Sequence, residues 1–266
     1  MIRTTVRFVG GLAVVAALAG LVGASLSAQA PAAPSPQELE PENLDLAGYW
    51  VSIVNESWRW RMVTPPAGDF ASLPLNDEGE RVGNEWTRDQ DGSCLAYGMG
   101  GLMRMPTRLH ITWVEDDVLQ IESDAGMQTR RIYFNPAEAS AQPSLQGRSV
   151  AEWQNTGGGR GGRRGGGPPP PPTAPEFGTL VVRTDSLTGG WIRRNGAPYS
   201  DQTTVVEYFD NFASPFEDES EWLVVTQLLT DPMYINGVYN TSSHFRREAG
   251  PDGPPPANWD PTACRP

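Results

Sequence analysis

Between residues 107 and 248 apolar and polar positions alternate in short bursts, separated by turn residues. "TRLHITWVE" alternates, Asp116-Asp117 turns the chain, "VLQIES" returns, and Asp124-Ala125-Gly126 turns it again into "QTRRIYFN". "SVAEW", "GTLVVRTDSL", "GGWIRRNG", "TTVVEYFDNF", "EWLVVTQLL" and "YNTSSHFRRE" continue the series. Period-two alternation with β-branched and aromatic enrichment predicts strands, and the close spacing of the turns predicts an antiparallel meander. Upstream, "LAGYWVSIV" at 46–54 predicts the first strand, and "ESWRWRM" alternates like a second. One short helix is predicted within 74–86, with Asn76 as N-cap and Asp77 and Glu78 in the first turn. No long apolar helical stripe competes with this pattern. A series of this length is too long for one flat sheet and predicts a mainly β domain over 46–248, closing into a barrel of about 8–10 strands.

The ends change the picture. Arg3 and Arg7 precede an apolar run from Phe8 to Leu26, and Ala28-Gln29-Ala30 supplies small residues for cleavage, so residues 1–30 read as a signal peptide. That predicts a periplasmic or secreted protein, with no stable membrane insertion once the leader is removed. Residues 31–45 read as a flexible lead-in and 249–266 as a Pro-rich tail. The two cysteines of an exported chain, Cys94 and Cys264, are expected to form a disulfide that ties this tail back to the first third of the chain.

The formal charge of −12 disfavours nucleic acid and anionic membranes as partners. That bears on "TGGGRGGRRGGGPPPPPTAP", residues 156–175, which would suggest RNA binding in another setting. It carries three arginines and no aromatic residue on which a base could stack. The tract reads instead as a disordered loop insert joining "SVAEW" to "GTLVV" within one sheet.

Gly48-Tyr49-Trp50 on the first strand and Arg246-Arg247 on the last resemble the lipocalin or calycin arrangement. In that fold the indole of a G-x-W sits at the closed end of the barrel, and an arginine from the last strand packs over it. The resemblance implies that Trp50 pairs in this way with Arg246 or Arg247, gaining cation–π attraction while filling the barrel floor. It also implies a barrel that binds a small apolar or aromatic molecule. Thr230-Asp231 is loosely similar to the T-D-Y turn of the family, with Pro232 where the tyrosine would stand.

Three classes of function follow. The leading one is an exported small-molecule-binding protein with an apolar, aromatic cavity, for which Trp58, Trp60, Tyr97 and Met103 are wall candidates and Arg108 is a polar lining residue. The same "WRWRM" segment with its arginines turned inward suits a carboxylate-bearing ligand. The second class is a metal-assisted or acid–base enzyme. His110, His244 and Glu207 lie on predicted strands, and if their faces point inward they converge. Two imidazoles and a carboxylate suit zinc, copper or non-haem iron, and an imidazole beside a carboxylate suits general-base work. Met99, Met103 and Met105 offer soft thioethers to copper, and equally serve as core fillers. The third class is an envelope interaction module without a ligand. No cofactor is required by any motif.

Overall fold

Nine strands form a closed ring in the computed structural model, which describes residues 45–154, 178–214 and 220–266. They are β1 (Gly48–Ile53), β2 (Arg108–Glu115), β3 (Val118–Ser123), β4 (Thr129–Tyr133), β5 (Arg148–Gln154), β6 (Thr179–Asp185), β7 (Thr204–Ala213), β8 (Glu221–Thr230) and β9 (Val238–Ala249). Each strand pairs with its neighbours in sequence, and β9 closes on β1. The predicted signal peptide over 1–30, all of the lead-in but Asp45, and the Gly/Arg/Pro insert at 156–175 lie outside the described residues.

The expected meander needs one correction. In a closed ring an odd number of strands cannot alternate in direction throughout, and here β4 and β5 run parallel while every other pair is antiparallel. A parallel neighbour requires a long return of about a dozen residues or more, which residues 134–147 provide. "GGWIRRNG" is a second correction. Gly190–Arg193 pairs with Ala197–Tyr199 as a separate hairpin outside the ring. β5 and β6, on either side of the insert, pair directly, with Gln154 opposite Thr179.

Alternation decides what the barrel holds. The apolar faces point inward, so Leu109, Ile111, Leu119, Ile121, Ile132, Leu180, Val182, Phe209, Leu223, Val225 and Phe245 pack with Trp50 and Met103 in one cluster. Leu109, Phe209, Leu223 and Phe245 have no accessible surface at all, so no water-sized void touches them. At the floor, the Arg247 guanidinium lies 4.4 Å over the Trp50 ring and donates to the carbonyls of Ala47 and Asp45. The Trp50 indole N–H donates to the Leu46 carbonyl at 2.9 Å. Gly48 belongs here for a steric reason: φ is +130°, and a Cβ would sit 2.5 Å from the Ala249 carbonyl oxygen at the bulge between β1 and β9.

A second apolar cluster caps the opposite end of the barrel with Phe70, Leu75, Met99, Ile192, Ala197, Tyr199 and Ile235. The short helix α1 (Trp58–Arg61) and helix α2 (Asp77–Gly83) lie in the segment that builds this cap, with Asn76 capping α2 by accepting from Gly79 N–H. Cys94 and Cys264 form a disulfide with Cα atoms 4.9 Å apart. The tail it anchors adds Thr262–Ala263 as a parallel partner to Ala125–Gly126.

Candidate functional site

The three residues expected to converge do not. Glu207 points into the barrel and is fully buried, whereas His110 and His244 stand on the outward face because Leu109, Ile111 and Phe245 take the inward positions. His110 stacks on Tyr49 with ring centroids 4.1 Å apart, meets the edge of Trp259 from the tail, and contacts Glu122 at 3.1 Å. This aromatic sandwich fastens the tail to the barrel wall. Arg108 on the same face pairs with Glu248 at 2.7 Å.

Glu207 instead forms a 2.5 Å ion pair with Arg130, with both side chains almost wholly buried. Arg130 also donates to Ser149 Oγ and Thr184 Oγ1 at 3.0 Å each, and Gln227 bridges Glu207 to the Met99 carbonyl. This polar layer lies between the barrel cluster and the cap cluster. Its charges cancel within it, and no reactant can reach it.

The cavity-wall candidates are also dispersed. "WRWRM" is not a strand: Ser57 adopts φ 52°, which ends the extended run, and the next four residues wind into α1. Trp58 is 65% exposed as a result. Met103 fills the barrel core, Met99 and Met105 are equally buried, and Tyr97 packs against Gly126. Met103 belongs to the barrel cluster and Met99 to the cap cluster, while Met105 lines the small pocket of the cap. Among the described residues one acidic trio, Glu115, Asp117 and Glu138, gathers within 4.8 Å on the exposed surface.

What the fold does assemble lies in the cap. Arg61 from α1, Arg104 from the 3-10 turn Leu102–Arg104, and Arg193 and Arg194 from the hairpin line a pocket with Trp60, Gly101, Met105 and Ile192. The pocket is small, about 20 Å³, with room for about one water. The Arg61 side chain is 2% exposed. Its Nε donates to the Arg104 carbonyl at 2.8 Å and one terminal nitrogen to Glu56 Oε1 at 2.6 Å, but the other terminal nitrogen is buried with no partner. Arg104 comes no nearer than 4.0 Å to a carboxylate, that of Glu56. Arg193 lies 4.9 Å over the Trp60 ring and donates to the Asp69 carbonyl at 3.5 Å, while Arg59 lies 5.0 Å from the same indole.

The charges here do not cancel. Arg59, Arg61, Arg104, Arg193 and Arg194 face Glu56, Asp69 and Asp91, leaving two positive charges in excess. Burial, and next the Arg104 guanidinium, holds Arg61 below the usual arginine pKa. Burial lowers Arg193 as well, and Arg104 adds to the effect. Arginines crowded out of water in a net acidic protein are costly unless an anion joins them. No protein family, curated protein or solved structure matches this chain, so the site has to be read from its own chemistry. Sequence reasoning passed over Arg104, Arg193 and Arg194. A signal was present: in "LMRM" and "WIRRN" the arginines stand inside apolar strings, where a solvated cation has little reason to be.

Proposed function

We propose that this is an exported, lipocalin-like binding protein of the periplasm or extracellular space. It takes a small molecule with an anionic head, not at the centre of its barrel but in the arginine-lined cap. The observation that carries this reading is the cluster of Arg61, Arg104, Arg193 and Arg194 around one small pocket with surplus positive charge, in whose wall a terminal nitrogen of Arg61 is buried without a partner. A guanidinium with free donors favours a planar or tetrahedral oxyanion, above all a carboxylate. The pocket admits the head alone. Trp58, Met62 and Val63, in or just after the turn that carries Arg61, are exposed and offer apolar surface to the remainder of the ligand. The disulfide and the leader-like N-terminus support export. The closed barrel and the Arg247–Trp50 floor support the lipocalin-like reading.

Thermal unfolding in increasing sulfate and octanoate tests the proposal. Both should raise Tm, octanoate at lower concentration, and Arg104→Gln and Arg61→Gln should each abolish the rise. Arg104→Gln is the cleaner variant, because Arg61 also bonds the Arg104 backbone. Equal effects of both salts on wild type and both variants would overturn the assignment.

A further inference from the structure

Glu56 has one carboxylate oxygen on the site and the other on a histidine. Oε1 accepts from Arg61 at 2.6 Å, whereas Oε2 lies 3.5 Å from His244 Nδ1. Both of these last atoms are buried and neither has a hydrogen-bond partner. With the imidazole proton on Nε2 two acceptors meet, and with it on Nδ1 a neutral hydrogen bond can form. With His244 doubly protonated, Nδ1 donates to Oε2 and the contact becomes a charge-assisted hydrogen bond.

Resting on the anion-site reading above, we propose that protonation of His244 strengthens anion binding in the arginine pocket by offsetting the Glu56 carboxylate behind it. One Glu56 oxygen meets Arg61 and the other faces His244, so the carboxylate sets its negative charge against the arginines of the pocket. An imidazolium at His244 offsets that charge and attracts the anion in the same direction, so affinity rises as pH falls.

The surroundings of His244 leave few other groups to titrate. Its cross-strand neighbours are Ile53 on β1 and Val224 on β8, both uncharged. Arg246 follows on its own strand face, and the 54–57 loop brings Glu56, with Arg61 and Arg104 behind it. His110 is the one other histidine in the chain, and it is committed to the Tyr49–Trp259 sandwich.

Sulfate is the appropriate probe, because its charge is constant between pH 5.5 and 7.5. Calorimetric titration of the intact, oxidised protein should show binding tighter at pH 5.5 than at 7.5, on the order of twofold to fivefold, the scale of one added ion pair at a partly exposed site. His244→Gln should flatten this dependence, and His110→Gln should leave it intact. Glu56→Gln should bind sulfate more tightly than wild type at pH 7.5. A His244→Gln protein that keeps the full pH dependence, or a wild type that binds sulfate equally at both pH values, would overturn the switch and leave the site standing. Absence of sulfate binding at either pH would remove the site, and the switch with it.

Discussion

Replacing Glu207 with glutamine separates a structural acid from a functional one. Glu207 has no accessible surface, and its carboxylate meets Arg130, whose side chain is 1% exposed, at 2.5 Å. Glutamine fits the same space but leaves the guanidinium buried without its counter-charge. Removing one partner of a buried pair costs about 3–5 kcal/mol. In a domain of this size each kcal/mol moves Tm by roughly 2–4 °C, so the midpoint should fall by about 6–20 °C. The double change Arg130→Met with Glu207→Leu should recover most of that loss. It removes both charges together, and Ser149 and Thr184 still bond one another at 2.9 Å. Urea denaturation followed by circular dichroism, with the disulfide intact, measures all three proteins. A single replacement that costs less than about 1 kcal/mol, or that stabilises the protein, would refute this reasoning. A residue held in place for function commonly behaves in that second way, and Glu207 would return as a candidate for chemistry.

Four further outcomes follow from named contacts. Reduction of Cys94–Cys264, which are 170 residues apart, should cost up to about 5 kcal/mol on the chain-entropy account, seen as a lower urea midpoint in dithiothreitol. With a protease site engineered between 155 and 177, the cut protein should stay folded through the β5–β6 pairing, and its halves should part on a denaturing gel only after reduction. Arg247→Lys should cost about 1–3 kcal/mol, because an ammonium cannot cover the Trp50 ring while serving two carbonyls; an unchanged midpoint would discount the floor contact. Burial pushes the Asp69 carboxyl up, but the bonds from Trp60 and Arg59 outweigh it and hold it below the usual aspartate value. Its stabilising contribution should therefore be complete above about pH 4 and fade as pH falls through the lowered value, a slope missing in Asp69→Asn.

The strands were legible because inward positions on β2, β6 and β8 are mostly apolar, with Thr184 and Gln227 as the polar exceptions, and closure followed from their number. The Trp50–Arg247 contact was legible from the chain ends of the barrel, down to a choice between two arginines. "WRWRM" misled because alternation over five residues fits a strand and a helical turn alike. Ser57 in a left-handed conformation, which no residue pattern announced, decides between them. The convergence of His110, His244 and Glu207 rested on polar faces turning inward. Each strand turned its more apolar face to the core, and Glu207 went inside only because Val205 and Phe209 carried it there. The parallel pair was invisible, since it depends on where the 134–147 segment returns and not on either strand's composition.

Two groups of buried arginine in one molecule make the argument for the cap sharper than either would alone. Arg130 is held by one carboxylate and two hydroxyls with an amide nearby, and its layer is neutral, although its second terminal nitrogen has no hydrogen-bond partner. Arg61, Arg104 and Arg193 receive less counter-charge: they share the Glu56 carboxylate and two backbone carbonyls, and Arg61 too keeps a buried terminal nitrogen without a partner. The surplus positive charge of that set beside an opening is what the proposed anion would answer, and the two sets predict opposite responses. Neutralising Glu207 should destabilise the protein, whereas Arg104→Gln should leave its stability within about 1 kcal/mol of wild type or raise it, while sulfate binding is lost.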